Sequence, residues 1–174
     1  GYHPMAQGIA VEGMNLIKQS LVAACKDGSD LVARTNMMAA SCMGATAFQK
    51  GLGGMHALAH TLGGLYDSHH GLLNAILMPY VLKANESVIS ESIAHLARCL
   101  DLEEHSFDGF MKWVIDLREA VGIPHTLADI KIDTAQSAKV GEMSVVDPAA
   151  GGNPISFTAE EYSKVFENAV NGVL

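Results

Sequence analysis

A chain of 174 residues, 49% of them hydrophobic, holds enough apolar material for a full core, as one domain or as one half of a two-domain protein. Its net charge of −8, with no local Lys/Arg cluster to offset it, argues against a phosphate-tracking surface and against nucleic acid as a partner. The longest apolar run, residues 71–82, is interrupted by Asn74 and Pro79 and is too short to cross a bilayer, so no membrane partner is expected. The start carries no basic-then-apolar leader. Cys25, Cys42 and Cys99 lie far apart without a CxxC, and read as reduced core residues of a cytoplasmic protein.

Helical periods dominate in chain order. From Pro4 to Lys26, Ile9, Leu16, Ile17, Leu21 and Ala24 share one face, and Asp27-Gly28 stops the helix. Ser29 is the expected N-cap of a second helix through Lys50, whose many Ala, Ser and Met residues suit close helix packing at a central position. Gly53-Gly54 opens a third helix, which Gly63-Gly64 ends or loosens. A fourth helix follows the turn at 67–71, and Pro79 is expected to kink or break it. Ile89, Ile93, Leu96, Ala97 and Leu100 form another stripe, as do Phe107, Phe110, Met111, Val114, Leu117 and Val121 before Gly122. Thr126/Asp129 and Asp133/Gln136 are caps for two short helices, and Thr158-x-x-Glu161 is a capping box for the last. Residues 147–157 read as a loop. The fold class is all-α, a multi-helical bundle of about eight helices.

Four of the eight histidines, His56, His60, His69 and His70, fall in the glycine-rich stretch 51–85. Imidazole is the commonest metal ligand and titrates closest to neutral pH. His56 and His60 are four apart and project from one helical face, and a turn returns His70 towards it. Two or three imidazoles could therefore hold one divalent metal, with Asp67 as a candidate carboxylate partner. Against this, an H-x₃-H pair arises easily, and most helical histidines are structural. His3, His95, His105 and His125 read as structural. No GxSxG, G-x-G-x-x-G or GK[ST] is present, and nine methionines at helical spacing read as core filler.

The run GLGGMHALAHTLGGLYDSHHGLLNAILMPYV resembles the signature of the iron-containing (group III metal-dependent) alcohol dehydrogenases. The match is His56-x₃-His60-x₉-His70-Gly71, then Asn74-Ala75-Ile76 and Pro79, and the helices upstream are similar too. The resemblance implies residues 1–174 as the all-helical metal-binding domain of that family, whose N-terminal NAD(P)-binding α/β domain lies outside this chain. It implies a divalent metal, usually iron and sometimes zinc, held by an Asp and three His. Two of those His match His56 and His70. The other two ligands are an Asp and a His four residues apart, a pair this chain is not expected to hold. His60 matches a histidine that is not a ligand but lies near the nicotinamide and the substrate, in a catalytic and cofactor-binding role. His69 stands where relatives often have Pro, and Ile155 where many carry Arg.

The implied reaction is hydride transfer between an alcohol and an aldehyde or ketone, with NAD or NADP. The isolated chain is expected to be inactive. A small alcohol or carbonyl substrate, the nucleotide-binding domain and a second copy of the chain are the expected partners. A hydroxyacid-oxoacid transhydrogenase or other reductase of the same superfamily is one alternative, and a non-catalytic helical binding or assembly module is another.

Overall fold

Pro4 fits the first turn of a helix, where its missing N–H costs nothing, and His3 caps that turn by accepting from the Ala6 N–H at 3.1 Å. In the computed structural model, which describes residues 2–174, these residues begin α1 (Pro4–Lys26). There follow α2 (Leu31–Ala47), α3 (Gly54–Tyr66), α4 (His70–Cys99), α5 (Phe107–Ala120), α6 (Ser137–Val145) and α7 (Ala159–Asn171). Four short 3-10 turns lie between them, and no described residue is in a strand. The all-α reading holds, and seven α-helices stand near the expected eight. No helix of the described residues is long and apolar enough to cross a membrane.

The residues form two compact units. One comprises the stretch up to Gly51 with Glu91–Val121. Its α1 and α2 pack through small residues: Gly13 lies against Met43 and Ala40, and Asn36 donates to the buried Ser20 hydroxyl at 2.9 Å. Only Ala33 and Ala40 of α2 are buried, and Leu31, Val32 and Met38 stand exposed, so the close packing appears but the central position does not. Lys18 places its ammonium on the carbonyls of Leu100 and Asp101, at 2.6 and 2.9 Å. Those carbonyls follow the end of α4, where a cation suits both the unpaired acceptors and the helix dipole.

The second unit comprises Leu52–Ser90 and Gly122–Leu174, and it holds His56, His60 and His70. Leu58, Leu62, Leu73, Ile76, Leu77, Val140, Phe166 and Ala169 are fully enclosed in its core. The capping box of α7 forms as its sequence predicts, with Thr158 and Glu161 exchanging side-chain and backbone bonds. At Gly141 the backbone of α6 lies so close to α7 that a methyl group would run into the Ala159 carbonyl and the Ser163 hydroxyl. Helix propensity alone favours Ala there by about 1 kcal/mol. Overpacking outweighs it, so Gly141→Ala should destabilise the chain by about 1–3 kcal/mol in a denaturant titration. An unchanged midpoint would contradict that packing.

Several boundaries differ from the sequence reading. Asp30, not Ser29, caps α2, accepting from the N–H groups of Val32 and Ala33 at 3.0 Å each. Gly63-Gly64 does not end α3, which closes at Asp67 in the left-handed conformation (φ 52°). Pro79 sits fully buried inside a helix that continues to Cys99, so two predicted helices are one. A proline inside a helix costs about 3 kcal/mol. Here the enclosed Ile76, Leu77, Tyr80 and Val81 around it offset that cost. The three cysteines are free, as expected, but exposed rather than in the core. Cys42 is two positions past buried Ala40, about 200° round the helix, which turns it outward.

Candidate metal centre

Gly53 and Gly54 bring the start of α3 against Asn153, whose Oδ1 accepts from the Gly54 N–H at 3.0 Å. A Cβ on Gly54 would stand 3.0 Å from that oxygen, so glycine is what permits the approach. Asn153 is itself fixed by Asn85 of α4, which is buried. The two amides exchange bonds of 2.9 and 3.2 Å, and Asn153 also donates to the Ile155 carbonyl at 2.8 Å. The first turn of α3, which carries His56, is thus fastened to α4, which begins with His70.

The three signature imidazoles come together on this frame. Ring centres lie 5.9 Å apart for His56 and His60, 5.4 Å for His56 and His70, and 5.4 Å for His60 and His70. Two imidazoles on one tetrahedral ion at a bond length of about 2.1 Å place their ring centres about 5 Å apart, so the 5.4 Å spacing of His56 and His70, and equally that of His60 and His70, fits a shared divalent metal. Burial, and then the neighbouring His70 and His60, lower the His56 pKa against the opposing pull of Asp147. That favours the neutral ring a metal requires. His70 is oriented by Asn74, whose amide reaches its Nε2 at 2.9 Å. Among the described residues no three His, Cys, Asp or Glu side chains are arranged to hold one ion.

His60 has a different partner. Its Nδ1 lies 3.2 and 3.1 Å from the two carboxylate oxygens of Asp147, a residue the sequence reading passed over. Asp147 follows α6 and caps the 3-10 turn Pro148–Gly152 by accepting from the Ala149 N–H at 2.8 Å. Its register with His60 is set nearby, where buried Ser144 of α6 donates to Thr61 of α3 at 3.1 Å. An Asp before a Pro signals a turn, but nothing in the sequence links it to a histidine 87 positions away. Leu52, Pro148 and Ala149 join His60 and Asp147 in walling an open hollow of about 470 Å³.

The other candidates lie elsewhere. Asp67 serves as the C-cap of α3, its N–H on the Gly63 carbonyl. His69 caps the start of α4, its Nδ1 accepting from the Leu72 N–H at 3.3 Å. His95 pairs with Cys99, and the carbonyl of His125 accepts from Tyr80. Contrary to the sequence reading, one Asp-x₃-His pair does occur, Asp101 and His105, but in a non-helical stretch where the spacing does not put two side chains on one face.

Tyr162 is buried edge-on to Phe157, and its hydroxyl has no hydrogen-bond partner among the described residues. Burial, and then the charge of Asp147, raise its pKa. Because that hydroxyl forms no bond that could be lost, Tyr162→Phe should leave thermal stability unchanged or improve it by up to about 1 kcal/mol. A clear drop in melting temperature would show that the hydroxyl has a partner.

Residues 2–170 match the profile described as Fe-containing alcohol dehydrogenase family, C-terminal. The chain is 35% identical to 4-hydroxybutyrate dehydrogenase of Cupriavidus necator, covering 97% of this chain and 46% of that protein. It is 33% identical to 1,3-propanediol dehydrogenase of Klebsiella pneumoniae, covering 96% and 45%. The crystal structure of a 1,3-propanediol oxidoreductase superposes with a TM-score of 0.92 at 31% identity, over 96% of this chain and 46% of that one. The chain thus spans just under half the length of these relatives.

Proposed function

Since the chain belongs to the Fe-containing alcohol dehydrogenase family, we propose that it is the metal-binding C-terminal domain of an NAD(P)-dependent alcohol dehydrogenase or reductase. The observation that carries this reading is the gathering of His56, His60 and His70 into one patch, with His56 and His70 at the spacing of a shared ion. His56 and His70 would hold the metal. When bound, the metal supplies Lewis acidity that lowers the pKa of a substrate hydroxyl, and the nicotinamide supplies the hydride acceptor.

The chain's own residues do the remaining work. His60 would hold or pass the hydroxyl proton at Nε2, the role of a general base. The apolar Leu52, Pro148 and Ala149 shape the hollow beside it. The 4-hydroxybutyrate and 1,3-propanediol dehydrogenases among the relatives suggest short primary alcohols as the substrate class. Within the 174 residues two imidazoles are insufficient ligands, so turnover would need the remaining ligands and a nucleotide-binding half.

The test is nucleotide reduction by the full-length protein, loaded with iron or zinc, on a panel of short alcohols and hydroxy acids with NAD and with NADP. Reduced nucleotide appearing with stoichiometric aldehyde supports the reading. Hydride passed from hydroxy acid to oxo acid without release of reduced nucleotide would make the protein a transhydrogenase. No turnover with metal bound would overturn both.

A further inference from the structure

We propose that Asp147 is the positioning residue of His60, fixing its tautomer so that Nε2 is the nitrogen offered to the substrate. The inference rests on the dehydrogenase reading above and adds a residue to it.

A carboxylate can only accept hydrogen bonds. With both its oxygens within 3.2 Å of the His60 Nδ1, that nitrogen carries the proton. Nε2 is then left with its lone pair and turned away from the carboxylate. The pairing is asymmetric in exposure: the His60 side chain is 42% exposed and that of Asp147 only 15%. The carboxylate is therefore the fixed member and the imidazole the one that meets solvent and substrate. Its backbone is held in turn by the Ser144–Thr61 bond and by its own cap on the Ala149 N–H.

The consequence is a division of labour among three histidines of one patch. Anchoring Nδ1 sets His60 apart from His56 and His70 and aims it at the hollow lined by Leu52, Pro148 and Ala149. When the substrate hydroxyl gives up its proton, that proton goes to Nε2. The imidazolium so formed stays paired with the carboxylate, and the hydride leaves separately to the nicotinamide.

Asp147 also caps a turn, so the test must separate that task from positioning. Asp147→Asn does so, because the amide oxygen can still accept from Ala149 while its NH₂ faces Nδ1 and favours a proton on Nε2. In the 174-residue chain, nitrogen NMR of the imidazoles should show His60 as the Nδ1–H tautomer, and Asp147→Asn should move it towards Nε2–H. In the metal-loaded full-length protein the same variant should lower kcat by about 10–100-fold, with metal content and KM within about twofold. Asp147→Glu should recover part of kcat.

An Nε2–H tautomer in the unmodified chain, or Asp147→Asn with full kcat, would overturn the proposal. The tautomer is read without turnover, so a full-length protein inactive on every alcohol would sink the proposed function while the NMR result alone decided the positioning.

Discussion

Alanine at His70 or His56 is expected to strip the full-length protein of its metal, whereas alanine at His60 is expected to leave the metal in place and remove the turnover. All three imidazoles lie within 5.9 Å of each other, so proximity alone gives no reason for the difference. The proposed assignment takes it from the family match, in which His56 and His70 stand at ligand positions and His60 at a non-ligand one. A carboxylate on Nδ1, as Asp147 is on His60, suits a ligand equally well. Loss of a ligand should weaken metal binding by more than the roughly 10–100-fold that loss of an outer partner costs. Loss of a general base costs about 10²–10⁴-fold in rate. Elemental analysis after dialysis, read beside kcat, separates the two classes. Equal metal loss in all three variants would make His60 a ligand and undo the assignment.

Alanine at Asn153 is expected to be the most damaging change outside the histidines. Its side chain takes part in four hydrogen bonds: from Gly54, with Asn85 in both directions, and to Ile155. Truncation leaves the Gly54 N–H without its side-chain acceptor and takes two bonds from the buried Asn85 amide, which keeps the Val81 carbonyl and the Ile155 N–H. The orphaned Gly54 N–H costs about 1–3 kcal/mol and each lost bond of Asn85 about 0.5–1.5 kcal/mol, so a total loss of about 2–5 kcal/mol is expected in a denaturant titration. Because the same bonds hold the first turn of α3, metal affinity should fall with stability. Asn153→Asp keeps the acceptor for Gly54 and should lose less. A variant as stable as the parent would show that water replaces the network without cost.

Much of this architecture is legible in the sequence because it is local. The start of α1 at Pro4, the opening of α3 at Gly53-Gly54 and the Thr158/Glu161 box are each decided within four residues, and each appears where the pattern puts it. What the sequence hides is decided by tertiary packing. Pro79 reads as a break because its cost is local, whereas the burial that outweighs it comes from residues packed across the unit. The cysteines read as core by type, but their helical phase turns them outward.

The site follows the same division. His56, His60 and His70 stand out through spacing and through the family resemblance, since they lie within 15 residues of one another. Asp147 and Asn153 cannot be found that way. They come from a loop brought back to α3 by the α6 and α7 packing, and neither carries a spacing signal.

The patch around His56 and His70 is proposed as half of a metal site. Elemental analysis of the full-length protein, purified anaerobically beside the 174-residue chain, tests it most directly. Stoichiometric iron or zinc is expected in the full-length protein and little or none in the shorter chain. A full-length protein that binds neither metal, with all three histidines intact, would contradict it and favour a helical module that keeps the signature for packing alone.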